Sequence, residues 1–255
     1  MKMSRINSNH QQRILIALDT QYVNRESLSL LVKLAERLNA TLKGLFVENS
    51  QLMDVANLPF TTEINRFSAE EKNLHRETLI RLNRQFALET QHQIQLLSEK
   101  QKVSCSYSIE TGELITKALS YEGFDIFFPA RTSSIQFVPE VAKTKGHRQL
   151  TLLYDQSPQF EKILKIVEIL ARDHLHYDVT VLCDREPPQD LKAALANIRH
   201  VHFQVLTYNE PLSISTLKLP VSALLLSPKN KFLSLSADEL NDLINYLPFS
   251  ILLID

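Results

Sequence analysis

Short apolar runs that end at an acid alternate along this chain with stretches whose apolar residues return every three or four positions. Ile14 to Leu18 and Leu150 to Tyr154 are runs of the first kind, of the length and continuity that a strand covered on both faces of a sheet requires. Asp19 and Asp155 close them. After the first run, Leu28, Leu31, Ala35 and Leu38 recur at helical spacing, and Leu164, Val167 and Ala171 repeat that stripe after the second. A further strand, Leu42 to Val47 or Val179 to Cys183, completes each unit. The units overlie without a gap, Arg13 to Glu48 on Gln149 to Asp184, which sets Asp19 on Asp155 and Ala35 on Ala171. Two parallel strands joined by a helix form a right-handed crossover, so its recurrence predicts a duplicated α/β chain.

The remaining pattern extends both units. Asn49 to Phe67 has Pro59 and many apolar residues, Leu52, Met53, Val55, Leu58, Phe60 and Ile64, but no period. It reads as a long loop covering the top of the sheet or a protein partner. Ser68 with Glu71 forms a capping box and predicts a helix to about Lys100, docking through Leu74, Leu82, Phe86, Ile94 and Leu97. Val103 to Ile109 is the third strand. Leu114, Ile115, Ala118 and Leu119 make a short helix that Gly123 ends, and Phe124 to Phe128 is the fourth strand. From Arg131 to His147 the best strand is Ile135 to Val138, and a fifth strand in the first half stays open. The second half predicts strands at 150–154, 179–183, 201–207, 221–226 and 249–254. Its helices are expected from Pro158 to Asp173, at 188–198, near Asn209, and from Ser236 with Glu239 to Leu247. This alternation describes an α/β fold with two doubly wound parallel-sheet domains in tandem. The expected boundaries are a loose tail at 1–12, a first domain at 13–145 and a second at 146–255.

Composition narrows the function classes. Hydrophobic residues make up 44% and charged residues 22% of the chain, as in ordinary globular proteins. The formal net charge of −1 supplies no concentrated basic surface, so neither nucleic acid nor an anionic membrane is an expected partner. The polar start of the sequence lacks the apolar core of a secretory leader, and the expected location is cytoplasmic. Cys105 and Cys183 lie in or at the end of apolar strands, where reduced, inert thiols are expected. The pairs His174 with His176 and His200 with His202 fall short of the three or four ligands with an oriented second shell that a transition-metal site takes, so surface histidines are the reading and no metal site is expected. Gly-x-Ser-x-Gly, Walker A and His-Glu-x-x-His patterns do not occur, and no catalytic residue is assigned.

Particular motifs carry a family likeness. These are RILIALD ending at Asp19, LKGLFVEN, IETGELITKAL and FDIFFPA in the first half, with LTLLYDQSP, SALLLSP and PFSILLID in the second. Each half resembles a universal stress protein domain, and the whole resembles a tandem universal stress protein over nearly all of residues 13–255. The resemblance implies parallel sheets in the order 3-2-1-4-5, and a fold that in many members binds ATP or AMP and in others binds no nucleotide.

In nucleotide-binding members the fourth strand leads into Gly-x2-Gly-x9-Gly-Ser/Thr, because backbone N–H groups approach phosphate closely only where no Cβ obstructs them. This chain departs from that pattern in both halves. Pro129 to Ser134 follows the first fourth strand and Ser227 to Lys231 the second, and the four glycines, Gly44, Gly112, Gly123 and Gly146, all lie elsewhere. The resemblance marks Asp19, with Thr20 beside it, and Asp155 as the acids that would face a base and ribose. It marks the backbone of Val47 for adenine, and Ala130, Arg131, Ser133, Ser134 and Lys229 for phosphate. Each has a plainer alternative: an acid there also caps the following turn, Val47 also serves a core, and the polar residues also suit a solvated loop. The expected function is therefore a non-catalytic stress-response or regulatory binding protein without the standard ATP site and without a cofactor. An ATP or AMP binder, or a slow ATPase, is the alternative. A scaffold gripping a protein partner through 49–67 is a third class, and the halves are expected to pack as a pseudo-dimer or the chain to form a homodimer.

Overall fold

A computed structural model describes residues 11–20, 23, 25–58, 61–64, 69, 71–73, 75–130, 148–171, 177–198, 200–205, 223–233, 239–240, 244 and 249–255. The first unit is β1 (Arg13–Leu18), α1 (Arg25–Arg37) and β2 (Thr41–Asn49). Next come α2 (Ser50–Val55), β3 (Thr62–Ile64), β4 (Glu71–Asn73), α3 (Arg76–Lys100), β5 (Cys105–Gly112), α4 (Leu114–Leu119) and β6 (Asp125–Phe128). The second half has β7 (Arg148–Leu153), α5 (Pro158–Ala171), β8 (Tyr177–Cys183), α6 (Gln189–Ala194) and β9 (Val201–Val205). It closes with β10 (Leu224–Pro228), α7 (Lys229–Leu233) and β11 (Ser250–Ile254).

Nine of these strands form one sheet, in the order β5-β2-β1-β6-β11-β10-β7-β8-β9. The second half supplies five of them in the 3-2-1-4-5 order that the resemblance implies, and the first half supplies its strands in the order 3-2-1-4. Every neighbouring pair within a half is parallel. The halves meet at β6 and β11, which pair antiparallel, Phe128 opposite Ile251, Phe127 opposite Leu252 and Ile126 opposite Leu253. β11 thus occupies the place beside β6 where a fifth strand of the first half would stand. The stretch Ile135 to Val138 lies outside the described residues.

Strand alternation sorts the apolar side chains onto two faces. Ile14, Ile16 and Leu18 of β1 join a core with α1, α3, α5 and α6, which also takes Leu150 and Leu152 of β7. Leu15 and Ala17 join a second core with α4, Phe232 and Phe249. Both cores draw residues from both halves. Phe46, Phe127, Phe232 and Phe249 are fully buried, and each contributes roughly 1.5–3 kcal/mol relative to exposure.

Several expectations change. Asn49 to Phe67 is not a featureless loop: the side chain of Asn49 accepts from Leu52 N–H and caps α2, and β3 pairs with β4. Glu71 therefore does not cap a helix. It lies in β4, where its carboxylate accepts the Thr62 hydroxyl at 2.7 Å, and α3 starts only at Arg76. Ser68 and Leu74 lie outside the described residues. α3 buries Leu79, Asn83, Ala87, Ile94 and Ser98, with the expected Phe86 and Leu97 half-buried against the same core, while Leu82 is exposed. The small residues on that face let the helix lie close, so that Tyr107 of β5 donates its hydroxyl to Ala87 O at 3.0 Å. Its ring covers Gly44 on the neighbouring strand. β10 begins later than expected and runs through Pro228, and the predicted helices near Asn209 and from Ser236 fall largely outside the described residues. Among the described residues no helix is long and apolar enough to cross a membrane.

Candidate functional site

In an open parallel sheet, ligands meet the carboxyl ends of the strands, where helix amino ends and loop donors converge. The antiparallel β6–β11 pair turns the two halves in opposite directions, so each carboxyl rim abuts the amino end of a strand from the other half.

At the first rim, Asp19 and Thr20 follow β1 and are half-buried. Ala130, just beyond β6, is buried, and its N–H donates to Ser250 Oγ at 3.1 Å. Ser250 is the first residue of β11, and its hydroxyl donates in turn to Ser27 Oγ in the first turn of α1 at 3.0 Å. A backbone donor and a helix-end hydroxyl that could meet phosphate are thus joined through a serine from the other half.

At the second rim, Asp155 follows β7. Its Oδ1 accepts the N–H of Ser157 at 3.1 Å and also the Ser157 hydroxyl. This is an Asx turn, and it leads the chain into α5 at Pro158. Lys229 opens α7 beyond β10 and is almost fully buried. Its ammonium donates to Tyr121 O at 2.9 Å and pairs with Asp255 Oδ1 at 3.5 Å. Asp255 Oδ2 accepts the N–H of Gly123 at 2.6 Å. Gly123 has φ 67, which a residue without a Cβ adopts at little cost.

Next to this group lies Asp125, the first residue of β6, whose side chain is wholly buried. Its Oδ1 accepts from Lys162 Nζ of α5 at 2.7 Å and from Asp255 N–H at 3.0 Å, and its Oδ2 accepts from Gln12 Nε2 at 2.6 Å. A buried carboxylate is tolerated when its oxygens are satisfied in this way.

Tyr121 connects the second rim to the edge strand β5. Its hydroxyl donates to Glu110 Oε1 at 2.5 Å and accepts from Lys43 Nζ at 3.1 Å, while Lys117 Nζ lies 3.3 Å from Glu110 Oε2. The Tyr121 hydrogen bond, with Lys117 and Lys43 adding to it, holds the Glu110 carboxyl below its ordinary value against a smaller effect of burial. Burial pushes the Cys105 and Cys183 thiols up, away from the reactive thiolate.

The chain is similar to solved universal stress proteins. One, from Archaeoglobus fulgidus DSM 4304, shares 12% identity over 94% of this chain and 96% of that chain, with a TM-score of 0.47. Another, a protein from the universal stress protein family from Burkholderia pseudomallei, shares 12% identity over 77% of this chain and 97% of that chain, with a TM-score of 0.28. No family model and no curated protein matches the chain.

The residues marked by sequence do not gather at one place. Asp19, Thr20 and Ala130 belong to the first rim, and Asp155 and Lys229 to the second. The Val47 side chain is buried in the second core. Arg131, Ser133 and Ser134 lie outside the described residues. Among the histidines, His200 and His202 are exposed, while His174 and His176 lie outside the described residues. Among the described residues no group of three or more His, Cys, Asp or Glu is placed to hold a metal ion.

Sequence reasoning missed Ser27, Asp125, Lys162, Ser250 and Asp255. One signal was present, because Asp125 interrupts the apolar run Phe124 to Phe128, and Ser250 and Asp255 bracket the apolar run of β11. A charge inside such a run requires a partner, but nothing in the local pattern names Lys162.

Proposed function

We propose that the chain is a non-catalytic stress-response or regulatory binding protein of the universal stress protein type, in which neither rim holds an adenine nucleotide in the family's usual way. The observation that carries this reading is that donors at both rims are already bonded within the chain. Ala130 N–H meets Ser250, and Lys229 meets Asp255 and Tyr121 O. A nucleotide would have to displace these groups without the glycine-rich backbone that compensates its relatives, and Pro129 and Pro228 bring no N–H. Isothermal titration of the full chain with ATP and with AMP tests the reading. The expected result is no saturable binding tighter than about 100 μM, roughly −5.5 kcal/mol. Tighter binding that is lost in Asp19→Ala or Asp155→Ala would overturn it.

A second reading, a scaffold for a protein partner, has its own support. α2 buries none of its residues, and Leu52, Val55, Leu58 and Ile64 are exposed on and around it. Deleting 52–60 and recovering the same partners from a pull-down would count against it.

A further inference from the structure

The second rim contains a cationic seat that is already filled. Lys229, with a side chain 6% exposed, and the N–H of Gly123 converge on the two oxygens of the Asp255 carboxylate. Lys162 Nζ reaches the Asp255 main-chain oxygen at 3.3 Å and the buried carboxylate of Asp125. Taking Asp255 away would leave the buried Lys229 with one neutral acceptor, Tyr121 O, and an uncompensated charge that the low-dielectric surroundings penalise. The Asp255 side chain is 34% exposed and sits at the mouth of the seat, whereas Lys229 forms its floor.

We propose that Asp255 is an autoinhibitory internal ligand whose carboxylate occupies an oxyanion site built from Lys229 Nζ and Gly123 N–H, with Lys162 at its side. The chemistry suits a carboxylate or a small inorganic oxyanion such as phosphate: two donors converge on paired oxygens, and one of them carries a buried full charge. This inference rests on the reading of the second rim as self-occupied, and it adds the group that must move before an external anion can enter. β11 ends at this seat and pairs with β6 along the junction of the halves. Entry of an anion would therefore loosen the end of the strand that joins them.

The test uses the full-length Asp255→Gly variant, which empties the seat and leaves Lys229 and Gly123 in place. Thermal unfolding is followed while inorganic phosphate, or acetate as the carboxylate probe, replaces chloride at constant ionic strength. For Asp255→Gly the expected result is a saturable rise in Tm of a few °C by about 20 mM phosphate. Wild type should show no such rise, and the effect should disappear in Asp255→Gly with Lys229→Met. A response to acetate alone would assign the seat to carboxylates, and a response to phosphate to inorganic oxyanions. A folded Asp255→Gly with no response beyond chloride overturns the proposal, as does a response that survives Lys229→Met. Should Asp255→Gly fail to fold in chloride, refolding in phosphate decides: recovery supports the seat, and continued failure overturns it. Nucleotide binding by the wild type would sink the proposed function instead, so the two failures are distinguishable.

Discussion

Replacing Asp125 by alanine should weaken the joint between the halves more than any other single polar change at the rims. The side chain is wholly buried and accepts from Gln12, from Lys162 and from the Asp255 N–H, at 2.6, 2.7 and 3.0 Å. Removing one member of a buried pair costs about 3–5 kcal/mol because the other charge is left uncompensated. Lys162 keeps 35% of its side chain in water and recovers part of its hydration, which lowers the expected cost to about 2–4 kcal/mol. For a chain of this length that corresponds to a fall in Tm of roughly 4–16 °C. Urea unfolding followed by circular dichroism measures the cost, and hydrogen exchange at β6 and β11 should show the loss concentrated along their pairing. The pair with Lys162 is isolated by a cycle of Asp125→Ala, Lys162→Met and the double variant, with an expected coupling of about 1–3 kcal/mol. An Asp125→Ala protein within about 0.5 kcal/mol of wild type, or costs that simply add, would refute the reasoning.

Two further outcomes follow from other contacts. A Cβ on Gly44 would lie 2.4 Å from Tyr107 Cδ2, so Gly44→Ala should cost about 1–3 kcal/mol in urea unfolding; in a Tyr107→Ala background the same change should become close to neutral, and an equal cost in both backgrounds would count against the contact. Glu110 titrates below its ordinary 4.5 because of Tyr121 and its lysine neighbours, so its contribution to stability is full above that value and is lost as the pH falls through the lowered one. The Tm difference between wild type and Glu110→Gln should therefore be largest near neutral pH and shrink below about pH 4, and a constant difference would contradict the assignment.

How much of this was legible in sequence differs from element to element. The apolar runs of β1, β7 and β8 announce strands buried on both faces, and the overlay of Asp19 on Asp155 announces that the crossover occurs twice. These readings are local, because period and run length are properties of a few consecutive residues. α3 was legible as a helix and, through Phe86, Ile94 and Leu97, in part of its docking face, but not in its start. Glu71 finds its partner across the β3–β4 hairpin, and the helix packs through Ala87 and Ser98 as well as through larger apolar residues.

What the sequence by itself determined was therefore two strand–helix–strand units, their order in the chain, and the absence of a glycine cradle after either fourth strand. What only the tertiary structure decided was that β6 and β11 lie side by side and antiparallel, which brings Ser250 to Ala130 and Asp255 to Lys229 and Gly123. Both strands are apolar on their two faces, and such a run specifies burial without specifying a neighbour or a direction. That choice is made by two cores that fill only when both halves contribute, and by buried charges, above all Asp125, whose partners are distant in sequence.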